Sequence, residues 1–103
     1  MVAVIFTSKR TSYSEGYAEF NEELERIAKE LPGFIQQDSA REIDGIGISI
    51  SYWKEAETAK QFKKVSIHIE AQQKGRTHYY EWYDVKVCTV DRQYNSPKPE
   101  AKL

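Results

Sequence analysis

His68 is the residue of this chain best suited to acid–base chemistry. It lies in a helical pattern, three residues after Val65 and shortly before Ala71 and Gln72, which places it near the apolar side of that helix. A neutral imidazole in such a place can serve as acid, base or haem ligand. The same position also suits a half-buried histidine that is hydrogen-bonded to the backbone, and the sequence leaves both interpretations open.

Motifs for the common cofactors and metals are absent from the sequence. It contains no G-x-G-x-x-G, no G-x-x-x-x-G-K-[ST] and no H-E-x-x-H. His68 and His78 do not share a helical face, and the single cysteine, Cys88, offers neither an intrachain disulfide nor a thiolate cluster. We therefore expect no metal site and no resident cofactor.

Length and composition indicate one small domain. The chain has 103 residues and a formal net charge of −1, so it has no global field that would attract nucleic acid or anionic lipid. The apolar run at residues 2–6 lacks a basic leader and is far shorter than the ~20 residues of a membrane span. A lone thiol suits a reducing compartment. We expect a domain over residues 1–94 and a C-terminal arm over 95–103, located in the cytoplasm.

Hydrophobic patterning predicts a strand and then a helix at the start of the chain. Residues 2–7 are β-branched and aromatic, which is typical of a buried strand. A capping box at Ser12-x-x-Glu15 predicts where the helix begins, and Pro32 with the glycine after it predicts where the helix ends. The apolar stripe of this helix consists of Tyr17, Phe20, Leu24, Ile27 and Leu31.

A hairpin is predicted next. Residues 34–43 are extended, and residues 46–52 alternate strictly between isoleucine and small or polar residues. Asp44-Gly45 between them is typical of a type I′ turn. Ser49 and Ser51, which alternate with the isoleucines, face either a polar cavity or solvent, and the pattern does not choose between them.

A second helix and a last strand complete the pattern. The helical region runs from about residue 55 to 74, with a possible break near Val65, and an aromatic strand covers residues 79–90. The inward positions of the helix are Ala56, Ala59, Phe62, Val65 and Ala71. Alternation places Tyr79, Tyr83, Val85 and Val87 on one side of the strand, and Tyr80, Trp82, Cys88 and Val90 on the other.

The order β-α-β-β-α-β predicts an α+β, ferredoxin-like split βαβ fold, in which both helices cover one face of an antiparallel sheet. The other face then needs a partner, and the two-sided aromatic character of residues 79–90 supplies large groups for it. We therefore expect a homodimer joined through the bare sheet faces, with the C-terminal arm reaching over the partner.

Four segments together resemble the antibiotic biosynthesis monooxygenase domain family, over roughly residues 2–94. They are Pro32-Gly33-Phe34, Gly47-Ile-Ser-Ile-Ser-Tyr52-Trp53, His68-x-x-Ala71-Gln72-x-x-Gly75-Arg76 and Tyr80-Glu81-x-Tyr83-x-Val85-x-Val87. The resemblance implies a dimeric α+β barrel with a pocket between sheet and helices in each subunit. Some members of such a family oxidise aromatic polyketides with dioxygen and no cofactor, whereas others bind and degrade haem.

The resemblance also implies which residues form the site. Haem-degrading relatives have a tryptophan where Phe62 stands, a histidine where Gln72 falls and an asparagine near Thr7, so this chain departs from them at all three places. The resemblance therefore implies a cofactor-independent monooxygenase acting on a small aromatic or polyketide-like compound. The alternative is a haem-binding or non-catalytic ligand-binding member of the same family.

A cofactor-free oxygenase needs a pocket for a planar, electron-rich substrate and groups that promote its deprotonation. Arg41 or Arg76 could stabilise a phenolate of that substrate. The candidates for the aromatic lining are Phe34, Tyr52, Trp53, Tyr80 and Trp82. Aromatic residues on a small sheet also serve as core or as subunit interface, so each of these five residues has two interpretations.

Overall fold

The computed structural model describes residues 1–73 and 79–97, with only the backbone described over residues 67–73. The predicted order β-α-β-β-α-β is confirmed. Residues 91–97 have no regular secondary structure, and the rest of the predicted arm lies outside the described residues. The elements are β1 (Val2–Arg10), α1 (Tyr17–Glu30), β2 (Phe34–Arg41), β3 (Ile46–Trp53), α2 (Ala56–Gln73) and β4 (Tyr80–Thr89).

The four strands form one antiparallel sheet in the order β2-β3-β1-β4. Val4 lies opposite Ser51 and Val87, and Phe6 lies opposite Ser49 and Val85. Because side chains alternate along a strand, these residues share one face of the sheet. We call it the helix face, since both helices pack on it. The other side, which carries Ala3, Ile5, Thr7 and their cross-strand neighbours, is the bare face.

The beginning of α1 differs from its prediction. Gly16 is the N-cap, with a φ of 78° and no side-chain hydrogen bond, so Ser12 and Glu15 do not form a capping box. The Tyr79 hydroxyl donates instead to the backbone carbonyl of Glu15 at 2.7 Å. A Cβ at position 16 would lie 2.9 Å from that hydroxyl oxygen, so glycine is needed both for its φ and for space. This bond fixes the segment before α1 to the residue that precedes β4, but it does not cap the N–H groups of the first turn.

The hairpin between β2 and β3 is confirmed, but its loop is longer than predicted. The Gly45 N–H donates to the Glu42 carbonyl at 3.0 Å, and the Glu42 N–H donates to the Ile46 carbonyl at 2.8 Å. Three residues, 43–45, therefore lie between the closing pair, and Gly45 has a φ of 95°. This bonding is typical of a three-residue hairpin loop that ends in a left-handed glycine, rather than a two-residue type I′ turn.

The core lies between the helix face and the two helices. Trp53 is fully buried and stacks on Phe62 of α2, with the two ring centroids 5.3 Å apart. Ala28 of α1 and Ala59 of α2 are small enough to let the helices approach the sheet there. The helix α2 is continuous, so the break predicted near Val65 does not occur. Within the described residues, neither helix is long and apolar enough to cross a membrane.

Candidate functional site

A cavity of about 670 Å³ lies between the helix face of the sheet and the two helices. Its volume falls in the range of sites that bind small organic molecules. Ser49 and Ser51 both line this cavity, so the helix face, and not solvent, is where the small residues of β3 point. Both helices contribute to its roof, and all four strands contribute to its floor.

The floor of the cavity is divided into an apolar half and a polar half. The apolar half belongs to β1 and β4, which lie side by side, and the polar half belongs to β2 and β3. In the polar half, the Gln37 amide donates to the Ser49 hydroxyl oxygen at 3.1 Å. The apolar floor residues are Val4, Phe6, Val85 and Val87, and the polar ones are Gln37, Ser39, Ser49 and Ser51. A flat molecule with one apolar edge and one oxygen-bearing edge fits this division.

The roof of the cavity is mixed in character. Helical spacing brings Ala59, Phe62 and Ser66 of α2 to the same side of the helix, above the floor. Glu25 of α1 and Lys63 of α2 add one charge of each sign. The remaining roof residues are Tyr17, Asn21, Leu24, Ala56, Glu57 and Lys60. The charged groups belong to the helices and to Arg41, whereas the apolar floor carries none.

Two tyrosines form a hydrogen-bonded pair in the cavity wall. The Tyr80 hydroxyl donates to the Tyr17 hydroxyl oxygen at 3.5 Å, and the Tyr80 ring meets Phe6 edge-on at 5.4 Å. Burial raises the pKa of Tyr80 well above its ordinary value, and the neighbouring Tyr17 raises this pKa further. Arg41 and Arg10 act in the opposite direction but do not reverse the shift. Tyr80 is therefore a neutral phenol that donates hydrogen bonds throughout the physiological pH range.

A β-bulge places Tyr80 in this wall. Lys9 pairs with Trp82 and Arg10 pairs with Tyr80, so Glu81 is an extra residue in β4. The bulge reverses the alternation, and Tyr80 and Tyr83 consequently both contact Phe6, with centroid distances of 5.4 and 5.8 Å. The prediction that Tyr80 shares a face with Trp82 and Cys88 is therefore wrong. A single unpaired residue in the strand is the reason.

Arg10 holds Tyr17 in place at one end of the cavity. Its guanidinium carbon lies 3.3 Å from the centroid of the Tyr17 ring, which is a close cation–π contact. The Arg10 Nε donates to the Tyr79 carbonyl at 3.0 Å, and its Nη2 donates to the Tyr13 carbonyl at 2.9 Å. These contacts join β1 to the segment before α1 and to the start of β4. Arg10 is thus a positioning residue for the Tyr17–Tyr80 pair.

Arg41 lies at the polar end of the floor and is fixed by three hydrogen bonds. Its Nη1 donates to the carbonyls of Ser8 and Gly45, at 3.3 and 2.6 Å. Its Nη2 donates to the Ser8 hydroxyl oxygen at 2.9 Å, and Ser8 is fully buried. A Cβ at Gly47 would lie only 2.7 Å from the Arg41 guanidinium carbon, so the glycine leaves the space in which the guanidinium rests.

The structure brings together three of the residues predicted for the site: Arg41, Phe62 and Tyr80 all line the cavity. Trp53 and Phe34 are on the same face but lie in the core beside it, with their ring centroids 5.4 Å apart. The side chains of His68 and Gln72 belong to the segment outside the described residues, and Arg76 lies outside them altogether. The roles of these three residues stay predictions.

Tyr52 and Trp82 lie on the bare face, away from the cavity. Tyr52 pairs with Ala3, and Trp82 pairs with Lys9, whose side chains belong to that face. Tyr52 and Trp53 are consecutive in β3, so they must point to opposite sides of the sheet. The same alternation separates Trp82 from Tyr83. An aromatic lining that includes all five candidates is therefore geometrically excluded.

Sequence reasoning missed Phe6, Tyr17 and Arg10 as members of the site. The alternation of Val4, Phe6 and Ser8 in β1 indicates a shared face, but only the packing of both helices on that face shows that it bounds the cavity. The sequence pattern places Tyr17 only in the apolar stripe of α1. Over the residues that the structure describes, no group of three or more histidine, cysteine or acidic side chains could hold a metal ion.

Several solved structures share this fold, although their sequences are only 10 to 13% identical to this one. SnoaB, a cofactor-independent oxygenase from Streptomyces nogalater, superposes with a TM-score of 0.72 over 92% of this chain and 97% of its own. Rv0793 from Mycobacterium tuberculosis superposes with a TM-score of 0.74 over 91% of this chain and 98% of its own. A protein from Nitrosomonas europaea, named for antibiotic biosynthesis monooxygenases, gives 0.72 over 89% of this chain and 100% of its own.

Sequence comparison provides a nearer relative. No protein-family model matches the chain. The uncharacterized protein YqjZ of Bacillus subtilis is 41% identical over 91 residues, which cover 88% of this chain and 80% of YqjZ. An identity of this size over most of both chains reflects common descent and not only a common fold. The chain therefore belongs to the same family as YqjZ, and its fold is that of the antibiotic biosynthesis monooxygenases.

Proposed function

We propose that this protein is a cofactor-independent monooxygenase that binds a small aromatic or polyketide-like compound in the cavity between sheet and helices. The observation that carries the proposal is the divided floor. An aromatic ring system can lie against Phe6 and Tyr80, while its oxygen substituents face Ser49 and Arg41. The shared fold with SnoaB supports the proposal, since that protein is described as a cofactor-independent oxygenase.

The chemistry requires an electron-rich substrate anion. An anthrone-like substrate loses a proton from its ring methylene, and the resulting enolate transfers electrons to dioxygen directly. The overall change is R₂CH₂ + O₂ → R₂C=O + H₂O, in which the carbon is oxidised by four electrons and dioxygen is reduced by four. No external reductant is needed. One oxygen atom enters the product and the other leaves as water.

Three residues have defined parts in this proposal. The positive charge of the Arg41 guanidinium favours an anionic substrate at the polar end of the floor, and the neutral Tyr80 forms part of the cavity wall. His68 is the proposed proton acceptor, on the basis of the sequence pattern alone. The proposed cytoplasmic location, where dioxygen is available and a single thiol stays reduced, is compatible with this chemistry.

The test is aerobic oxidation of anthrone by protein treated with a chelator. We expect oxygen consumption above the uncatalysed rate, with one dioxygen used for each anthrone, and no requirement for added flavin, nicotinamide or metal. Ser49→Phe fills the centre of the floor and should lower the rate by about 10²-fold, because the substrate can no longer be positioned. Ser14→Phe, on an exposed segment before α1, is the matched control and should retain the full rate.

Two results would contradict the proposed function. One is a rate equal to that of anthrone in buffer. The other is activity that appears only when haem, flavin or iron is added. Stoichiometric uptake of hemin with a Soret band would instead favour the haem-binding alternative. A thermal melt of both serine variants shows whether each change left the fold intact.

We also propose that two chains associate through their bare faces. Three large apolar side chains of this face are 38 to 47% exposed, namely Ile46, Ile48 and Trp82. Such a surface favours association with a second copy. Sedimentation equilibrium at micromolar concentration should give twice the 12.0 kDa mass of one chain.

A pair of isoleucine variants tests where the two chains meet. Ile48→Asp places a charge in the centre of the bare face and should give the monomer. Ile43→Asp changes a fully exposed isoleucine in the hairpin loop and should leave the dimer intact. A monomeric wild-type protein, or a dimer that survives Ile48→Asp, would rule out this interface.

A further inference from the structure

We infer that Arg41 recognises a carboxylate group, so that the compound bound in the cavity is an aromatic carboxylic acid. This inference rests on the proposed function of the cavity and names a chemical class for its ligand. It follows from which N–H groups of Arg41 are already used, and from where the unused ones lie.

A guanidinium has five N–H donors in a fixed planar arrangement. Both donors of Nη1 are used, by the carbonyls of Ser8 and Gly45, and one donor of Nη2 is used by the Ser8 hydroxyl oxygen. Nη1 and Nη2 both bond to Ser8, so Ser8 lies on the edge of the guanidinium between these two nitrogens. The Nη2 hydrogen that bonds to Ser8 is therefore the one nearer to Nη1. The two remaining donors are therefore the Nε hydrogen and the Nη2 hydrogen beside it. They point the same way and have no partner among the described residues.

This free pair of donors matches the two oxygen atoms of a carboxylate. A carboxylate accepts two parallel hydrogen bonds from adjacent nitrogens of an arginine, and such charge-assisted pairs are among the stronger polar contacts in proteins. A phosphate group could also accept two bonds, but it carries up to two negative charges. The polar half of the floor supplies one cation and the neutral groups Gln37, Ser39 and Ser49. A singly charged, planar group is the better match.

The guanidinium is held in position before any ligand arrives. Its three hydrogen bonds join it to β1 and to the β2–β3 hairpin, and Gly47 leaves the space that it occupies. A preorganised donor pair loses little conformational entropy when the ligand binds. Glu25 and Glu57 of the cavity lie on the helices, and no ion pair joins either of them to Arg41 within the described residues. The donor pair is therefore available to a ligand.

The test compares 2-naphthoate with 2-naphthamide, which have the same ring and nearly the same shape but differ in charge. We expect the wild-type protein to bind the acid at least about tenfold more tightly than the amide, measured by calorimetry under argon so that no oxidation occurs. Arg41→Gln should reduce this preference to about twofold or less. Arg41→Lys keeps the charge but not the paired donors, and should lose most of the preference.

Two further variants separate the donor pair from general charge. Gly47→Ala displaces the guanidinium while the arginine remains, so it should lose the preference for the acid. Lys64→Gln removes an exposed cation of α2 that does not line the cavity, and should keep the preference. Melting temperatures of all four variants show that each is folded at the temperature of measurement, and Arg41→Lys stands in if Arg41→Gln does not fold.

Equal affinity of the wild-type protein for acid and amide would overturn the inference. So would a preference that survives both Arg41→Gln and Gly47→Ala. Oxidation of anthrone without any preference for the acid would leave the proposed function standing and remove only this inference. If the protein binds the acid through Arg41 but consumes no oxygen, the proposed oxygenase function fails and carboxylate recognition stands. If neither probe binds, the inference fails, and oxidation of anthrone alone decides the proposed function.

Discussion

Replacing Trp53 by alanine is expected to lower the free energy of unfolding by about 3–5 kcal/mol, the range for truncating a buried aromatic side chain. Trp53 is fully buried, stacks on Phe62 and meets Phe34 edge-on at 5.4 Å. Its indole N–H also donates to the Ser51 hydroxyl oxygen at 2.9 Å. The loss is a large part of the roughly 5–15 kcal/mol that holds a domain of this size folded. Urea unfolding followed by circular dichroism measures it.

Trp53→Phe separates the structural role of this residue from the substrate-binding role predicted from the sequence. It keeps a large ring in the core but removes the N–H, so we expect a smaller loss of stability, about 1–2 kcal/mol. Because Trp53 lies in the core beside the cavity, the affinity of the folded variant for 2-naphthoate should be unchanged. A stable Trp53→Phe protein that bound this probe tenfold more weakly would show that Trp53 contacts the ligand after all.

Raising the pH above about 10, the ordinary pKa of tyrosine, is expected to destabilise the folded protein. Burial raises the pKa of Tyr80 in the folded state, and the hydrogen bond with Tyr17 adds to the effect. The unfolded chain releases this proton near pH 10, whereas the folded chain keeps it. Stability is therefore complete below about pH 10 and falls as the pH rises further, at a limiting rate of about 1 kcal/mol per pH unit.

Tyrosine-to-phenylalanine variants check the source of this alkaline loss. Tyr80→Phe should abolish most of it, at a cost of about 1 kcal/mol at neutral pH for the lost hydrogen bond to Tyr17. Tyr94→Phe changes an exposed tyrosine and should leave the pH dependence as it is. Burial also raises the pKa of Tyr79, so a smaller loss in the same direction should remain in Tyr80→Phe. Identical alkaline profiles for Tyr80→Phe and the wild-type protein would contradict this assignment.

The places where prediction from sequence failed share one physical feature. At the start of α1, the capping box predicted from Ser12 does not form, and the Tyr79 hydroxyl donates to the Glu15 carbonyl and holds that segment in place. In β4, the extra residue Glu81 is visible only when the register against β1 is known. Both depend on contacts between residues more than sixty positions apart in the sequence. A local motif cannot report such a contact.

The sequence by itself determined the order of elements and the hairpin, because period-2 alternation and the Asp44-Gly45 pair are local consequences of backbone geometry. It also indicated Arg41, Phe62 and Tyr80 as site candidates, and all three line the cavity. Only the tertiary structure decided which face of the sheet bounds the cavity. Alternation requires Tyr52 and Trp53 to point to opposite faces of the sheet, but it does not say which of the two faces the helices cover. The packing of α1 and α2 on one side makes that choice. It decides that Ser49, Phe6 and Arg41 line the cavity, whereas Tyr52 and Trp82 do not.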